Sequence, residues 1–95
     1  MSTDPMFRMT VAEVFAITGL GTVAAGQIDQ GTINVGDRVW VHGGNDGPVK
    51  TAIAFIQVGA KGAKTAGAGQ LVGLVLRGLA LERVQVGNVV SASEF

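Results

Sequence analysis

The chain has 95 residues, 47% of them hydrophobic, and seven basic and seven acidic side chains cancel to a formal net charge of zero. It has no cysteine and one histidine, His42, so a disulfide framework, a thiolate metal site and a triad or metal site built on His42 alone are excluded. Zero net charge argues against strong non-specific binding to nucleic acid, no apolar run is long enough to span a bilayer, and one domain with its own core is expected at this length.

The N-terminal Met1-Ser2-Thr3-Asp4-Pro5 lacks the charged and apolar regions of a signal peptide, so a soluble, cytoplasmic protein is expected. Met9 to Thr18 alternates: Met9, Val11, Glu13, Phe15 and Ile17 fall on one side, Thr10, Ala12, Val14 and Ala16 on the other. Period two with β-branched residues predicts a strand, and two apolar sides predict cover on both faces. Gly19 and Gly21 turn the chain, Thr22 to Asp29 is the return strand, and Gly31 ends it. Ile33 to Asp37 is a short extended piece and a turn, followed by a strand over Arg38 to His42. Gly43 to Pro48 is a loop, since every residue there is a turn former.

Lys50 to Val58 is the next strand, with an apolar centre at Ile53 to Ile56. Gly59 to Gly69 is alanine, glycine and lysine with only Thr65 as an anchor, and predicts one weak strand plus a turn. Leu71 to Leu76 is a buried strand, Arg77 to Gly87 a connection with one helical turn, and Asn88 to Ala92 closes the sheet. Ile33-Asn34-Val35-Gly36-Asp37-Arg38-Val39 echoes Val84-Gln85-Val86-Gly87-Asn88-Val89-Val90. Shared turn chemistry explains the echo, because Gly supplies positive φ and Asp or Asn caps such a turn. Six to seven short, mostly antiparallel strands with regular turns predict an all-β fold, a small closed Greek-key-like barrel. Residues 1–6 are expected as a lead, 7–92 as the barrel and 93–95 as a tail.

Gly19-Leu20-Gly21-Thr22-Val23-Ala24 satisfies G-x-G-x-x-A. A dinucleotide site needs that loop to open a helix whose N-terminus faces the pyrophosphate. Gly26 and Gly31 interrupt any helix, and Thr22, Val23 and Ile28 prefer a strand, so the run is a hairpin turn. No G-x-x-x-x-G-K-[ST] is present, so no P-loop nucleotide is expected. The carboxylates are scattered, and no nucleophile–base pair or metal-ligand cluster is visible. No catalytic residue, metal or cofactor is therefore expected.

Asp37 reads as a turn cap, and Glu13, among apolar neighbours, as a sheet-edge residue. Lys61 and Lys64 flank a glycine segment and read as a solvated loop. Arg77 leaves a buried strand at a turn, where pairing with a carboxylate is expected ahead of the alternative, contact with RNA. In Arg38-Val39-Trp40-Val41-His42 the valines share one face and Trp40 and His42 the other. With the valines in the core, Trp40 points out. Two readings of it stay open: a binding or self-association surface with His42, or a ring covered by a loop.

Phe7, Val11, Val14-Phe15, Ile17, Gly19-x-Gly21-Thr22-Val23-x-x-Gly26, Ile28, Gly31, Ile33, Val35-Gly36-Asp37-x-Val39, Val41, Ala68-Gly69, Val72-Gly73-Leu74, Leu76-Arg77-Gly78, Val84, Gly87 and Val89 together resemble the second domain of translational GTPases, above all that of elongation factor Tu. The resemblance runs in one order and one frame from about Met6 to Ala92. It implies a closed, mostly antiparallel β-barrel. It implies binding: the aminoacylated 3′ end of tRNA, the small ribosomal subunit and the GTPase domain are that domain's partners.

Carried over residue by residue, Glu13, Phe15, Leu20, Val23, Gln57 and Arg77 are the candidate binding residues. Several polar positions of the family pattern are replaced. The acidic pair before Val-Phe is Ala12-Glu13, the threonine before Gly26 is Ala25, and the basic residue between the turn glycines is Leu20. The glutamate contacting the terminal adenosine is Gln57, the asparagine before Val72 is Leu71, and Trp40 stands where a charged residue is usual. A site that reads a base or an aminoacyl group needs hydrogen-bonding partners, so the aminoacyl-tRNA pocket is expected to be largely lost. The expected function is a non-catalytic binding module contacting RNA, the ribosome or a translation protein. The alternatives are a structural, self-associating barrel, a homo-oligomer through the Trp40 surface, or an excised domain of a translational GTPase. A free-standing chain is the expected form; in the excised-domain reading Glu94-Phe95 is a cloning scar.

Overall fold

The structure, a computed structural model, describes residues 4–44 and 47–93. The expectations for Met1 to Thr3 in the lead, Asn45 and Asp46 in the loop, and Glu94 and Phe95 in the tail lie outside the described residues. Among the described residues ten strands run in chain order: β1 Arg8–Thr10, β2 Glu13–Ile17, β3 Gly21–Gln30, β4 Thr32–Asn34, β5 Arg38–His42, β6 Val49–Val58, β7 Lys61–Ala63, β8 Thr65–Gly67, β9 Leu71–Leu76 and β10 Val89–Ser91. A 3₁₀ turn at Leu81–Arg83 stands in the connection where one helical turn was expected.

Six strands close an antiparallel barrel in the order β1-β10-β5-β6-β9-β3, and β3 returns to β1. The two ten-residue strands, β3 and β6, make the closure possible because each serves both halves of the barrel. The start of β6 pairs with β5 and its end with β9 and β7. The start of β3 pairs with β2 and β9, and its end with β1. We call the two halves the β10 half (β1, β10, β5 and the start of β6) and the β9 half (β2, β3, β9, β7 and the end of β6).

Inward alternation from every barrel strand fills the interior. Phe7, Met9, Ile28, Ile33, Val39, Ile53, Ile56, Leu74, Leu76 and Val90 form one cluster that water barely reaches. Among the described residues, no buried side-chain polar atom lacks a partner. Thr22 Oγ1 donates to the Leu79 carbonyl at 2.6 Å and Thr51 Oγ1 to the Arg77 carbonyl at 2.8 Å. These two bonds tie the turn after β9 back onto β3 and β6 and satisfy carbonyls that would otherwise be costly to bury.

The expected single strand from Met9 to Thr18 is two strands with a break at Val11-Ala12. Val11 leaves β3: its N–H donates to the Asn88 carbonyl and its carbonyl accepts from Gly87 N–H, both at 2.8 Å. Ala12 N–H then returns to the Ala25 carbonyl at 2.8 Å. This detour adds a residue and reverses the side-chain parity, as a bulge does. Met9 and Val11 enter the core, but beyond the break Val14 packs on the core while Glu13 and Phe15 face out. Gly59 to Gly69 also differs from expectation, since it holds two short strands. There β7 folds back antiparallel onto the end of β6, and β8 pairs with β4 to set Ala66 opposite Ile33 over one end of the barrel. A Cβ on Gly62 of β7 would come within 2.7 Å of the Phe55 ring, so at that position the small residue lets the strand lie close.

The sequence echo is a repeated turn. Asp37 N–H donates to the Asn34 carbonyl and Asp37 Oδ2 accepts from Asn34 N–H at 2.8 Å. Asn88 N–H donates to the Gln85 carbonyl and Asn88 Oδ1 accepts from Gln85 N–H at 2.9 Å. Gly36 and Gly87 both have φ of 95°, a backbone that L side chains resist. Each turn launches a strand, β5 or β10, and these two strands pair.

Asp4 fastens the start of the chain. Its carboxylate accepts from Met6 N–H, and from the N–H and Oγ1 of Thr32. These bonds, the Met6 amide foremost, hold its pKa below the ordinary carboxylate value. The folded chain therefore binds this proton less readily than the unfolded chain. The contribution is complete above the unfolded pKa of about 4 and is lost as pH falls through the lower folded value. Asp4→Asn is expected to flatten the fall of the thermal midpoint below about pH 4. An acid limb of unchanged slope, followed by circular dichroism, would contradict this.

Candidate binding groove

The parity switch at Val11-Ala12 decides what the outer surface of the β9 half carries. Register aligns Glu13, Ala25, Gly73 and Gln57 in one outward row across β2, β3, β9 and β6. The next outward row is Phe15, Val23, Val75 and Phe55. Where Ala25 and Gly73 meet, the row is low. Glu13 and Gln57 at its ends, with Phe15 and Leu71 in the neighbouring rows, stand higher. The result is an open groove of about 440 Å³ lined by Glu13, Phe15, Ala25, Gln57, Leu71 and Gly73 among others.

The groove is mainly apolar. Phe15 is 38% exposed and Leu71 70% exposed. Val23 is buried on the outer side of β3, outside the core cluster, and is the register partner of Phe15. A Cβ on Gly73 would come within 3.2 Å of Val23 Cγ1, so the groove's depth depends on glycine there. The charged and carboxamide groups lining it are the Glu13 carboxylate and the Gln57 side chain, at opposite ends of the small-residue row. Such a groove can take an apolar or flat group and offer it one acceptor and one donor–acceptor.

Of the sequence-derived candidates, Glu13, Phe15 and Gln57 line the groove, and Val23 stands beside Phe15 in the neighbouring row. Leu20 lies outside the groove at the tip of the β2–β3 turn, 50% exposed, where its N–H donates to the Ile17 carbonyl. Arg77 is exposed beyond the end of β9, and its guanidinium has no carboxylate partner among the described residues, against the expected pairing. Its backbone is what the fold uses, through bonds to Ala52 and Thr51. Trp40 and His42 lie on the other half of the barrel, on the face of β5 opposite the buried valines, and it is this facing that the alternation predicted. Gly73, Val75 and Phe55 were missed as groove and outer-face residues. A lone glycine inside the strand Leu71–Leu76 was the available signal, since it marks a close approach of something to the sheet.

No three His, Asp or Glu side chains among the described residues cluster as a metal site, and no helix there is long and apolar enough to cross a membrane. A closed six-strand antiparallel barrel, with two strands shared between its halves and an open groove on one outer face, is a β-barrel domain of the translation-factor type. The family model for elongation factor Tu domain 2 matches residues 21–91. The chain belongs to that family.

Proposed function

We propose that the barrel is a non-catalytic binding module of the translation apparatus, working in the cytoplasm, that docks on the ribosome or a ribosome-bound protein through the groove of the β9 half. Membership of the elongation factor Tu domain 2 family supports a translation partner. The composition of the groove carries the rest. Its lining includes Ala25, Gly73, Leu71 and Phe15, with polar side chains only from Glu13 and Gln57. Selecting an aminoacylated adenosine demands several placed donors and acceptors, because discrimination comes from leaving polar groups unpaired with the wrong ligand. Two groups do not meet that demand, so the groove holds a partner by apolar contact.

Ribosome co-sedimentation at low and moderate salt tests this. The purified protein is expected in the ribosomal pellet at low salt, and largely still there at moderate salt, because apolar contact is weakly screened. Absence from the pellet even at low salt would contradict it.

A further inference from the structure

Beside the groove lies the open edge of β2. β2 ends the sheet, with β3 on one side and, among the described residues, no strand on the other. The turn that follows it decides which backbone groups that edge presents. The Ile17 carbonyl accepts from Leu20 N–H within the β2–β3 turn, so Ile17 directs its polar groups at the β3 side. Hydrogen-bonding direction alternates along an antiparallel strand. Glu13, Phe15 and Ile17 therefore bond to β3, and Val14 and Ala16 turn both N–H and C=O away from it. Among the described residues no loop backbone bonds to either of them.

The connection after β9 does not close this edge. Thr22, opposite Ala16, donates to the Leu79 carbonyl, which places the connection against the inner side of β2 and β3. It joins the line of the edge at the break, where Gly87 and Asn88 bond to Val11. Open edges are commonly protected by Lys, Pro, a bulge or brevity. β7, also paired on one side, is three residues long and begins at Lys61. β2 is Glu13-Val14-Phe15-Ala16-Ile17, with no Lys, Arg or Pro. Exposed apolar side chains gather at it: Phe15 on the strand, Leu20 at its turn, and Val86 next to Gly87 at the break.

We propose that β2 pairs antiparallel with β2 of a second copy of this chain, joining two barrels through one continuous outer sheet. The proposal does not rest on the groove, since Val14, Ala16 and Ile17 do not line it. One register uses both outward residues of each copy: Val14 opposite Ala16 and Ala16 opposite Val14, each pair exchanging both backbone bonds. Sliding by two residues brings in Ala12, whose N–H is already bonded to Ala25, or Thr18 in the turn. The favoured register is self-complementary, as a two-fold interface requires.

In that register Phe15 meets Phe15 of the second copy as a non-hydrogen-bonded pair, with Cα atoms about 4.5 Å apart and rings in reach. Glu13 faces Ile17 of the second copy. The two Glu13 residues stand at opposite ends, about 14 Å apart along the strand, so like charges do not meet. A second copy is favoured over another extended segment because it brings an equally unpaired edge and the same exposed Phe15 and Leu20 at matched spacing. Phe15, Leu20 and Val86 expose on the order of 300 Å² per copy, against about 800 Å² per partner in a standard interface, so the dimer is weak.

Sedimentation velocity from about 1 to 500 μM should show a monomer–dimer equilibrium with a Kd of about 10–100 μM. Ala16→Pro removes an outward N–H at an edge position, where proline is tolerated, and should remain monomeric throughout. Ile17→Lys sets an ammonium opposite Glu13 of the second copy, and Ile17→Glu sets a carboxylate there. The lysine variant should dimerise about 3-fold or more tightly than the glutamate variant, with the gap shrinking in salt. In the wild-type chain the Val14 and Ala16 amides should gain protection from hydrogen exchange as concentration rises, which reads the pairing even if Ala16→Pro does not fold. A monomer at the highest concentration, an unchanged dimer in Ala16→Pro, equal dimers in the two Ile17 variants, or Val14 and Ala16 exchange that ignores concentration would each overturn the proposal.

Discussion

Phe7→Ala is expected to be the most damaging single truncation in the chain. Phe7 is 1% exposed and heads the set of fully buried side chains by volume. It sits just before β1, where its N–H donates to the Asp4 carbonyl and its carbonyl accepts from Ala92 N–H. The ring therefore lies where the first and last segments of the barrel meet. Loss of a buried phenylalanine costs about 3–5 kcal/mol, through lost transfer energy and the cavity left behind. The backbone around it is held by hydrogen bonds on both sides and cannot collapse into the space.

For a domain of this size each kcal/mol moves the midpoint by about 4–8 °C, so a fall of about 12 °C or more is expected. Phe7→Leu should fall by much less. A thermal melt of Phe7→Ala within a few degrees of wild type would contradict the packing described.

The second large effect is expected at Gly26, and its sign is the informative part. Glycine to alanine in a strand usually stabilises by about 0.4–1 kcal/mol when the backbone is compatible, because the unfolded chain loses freedom. At Gly26 the new Cβ would run into the carbonyl oxygen of Thr10, with Ala12 N 3.4 Å away. Both are backbone atoms at the break between β1 and β2, so no rotamer change relieves the clash. Relief means lifting that corner off β3, at the expense of the Ala12–Ala25 bond and of the bonds joining Val11 to Asn88 and Gly87. We expect Gly26→Ala to destabilise by about 3 kcal/mol, at the upper end of overpacking costs.

Gly67→Ala is the control. Its Cβ would meet only Thr32 Cγ2 at 3.5 Å and Gly31 O at 3.8 Å, ordinary contact distances, and a change of less than about 1 kcal/mol is expected. Chemical denaturation of both variants reads the difference. A Gly26→Ala protein as stable as Gly67→Ala would show that the β1–β2 corner does not lie against β3.

Gly26 also shows what the sequence made legible. As part of Gly19-x-Gly21-Thr22-Val23-x-x-Gly26 it helped exclude a helix and pointed to a hairpin. The valines around Trp40, the turn pair Gly36-Asp37 and Gly87-Asn88, and the strand Leu71–Leu76 were all readable, although Leu71 at its start is exposed rather than buried. Each is a local pattern with one physical solution. The break at Val11-Ala12 was not readable, because its cause is a hydrogen-bond exchange with Gly87 and Asn88, far along the chain.

That break governs the site. Uninterrupted alternation would have put Glu13 and Phe15 on the same face as Met9. The register shift between Ile53 and Phe55 acts similarly, since it brings both Ile53 and Ile56 into the core and turns Phe55 outward. Period-two reasoning places side chains correctly only between such irregularities. The family resemblance supplied Glu13, Phe15, Val23 and Gln57, and it could not supply the depth that Gly73 gives the groove.

The groove of the β9 half is the centre of this account. Ala25 lies in its floor, on the outward face of β3 between Glu13 and Gly73, and no core residue depends on it. Ala25→Phe would fill the groove from outside. Ribosome co-sedimentation of wild type and Ala25→Phe, at equal concentration and with thermal midpoints confirmed as similar, is the most direct measurement. The account predicts that wild type pellets with ribosomes and that the filled variant loses about tenfold or more in affinity, roughly 1.4 kcal/mol. Equal pelleting of the two proteins would contradict it.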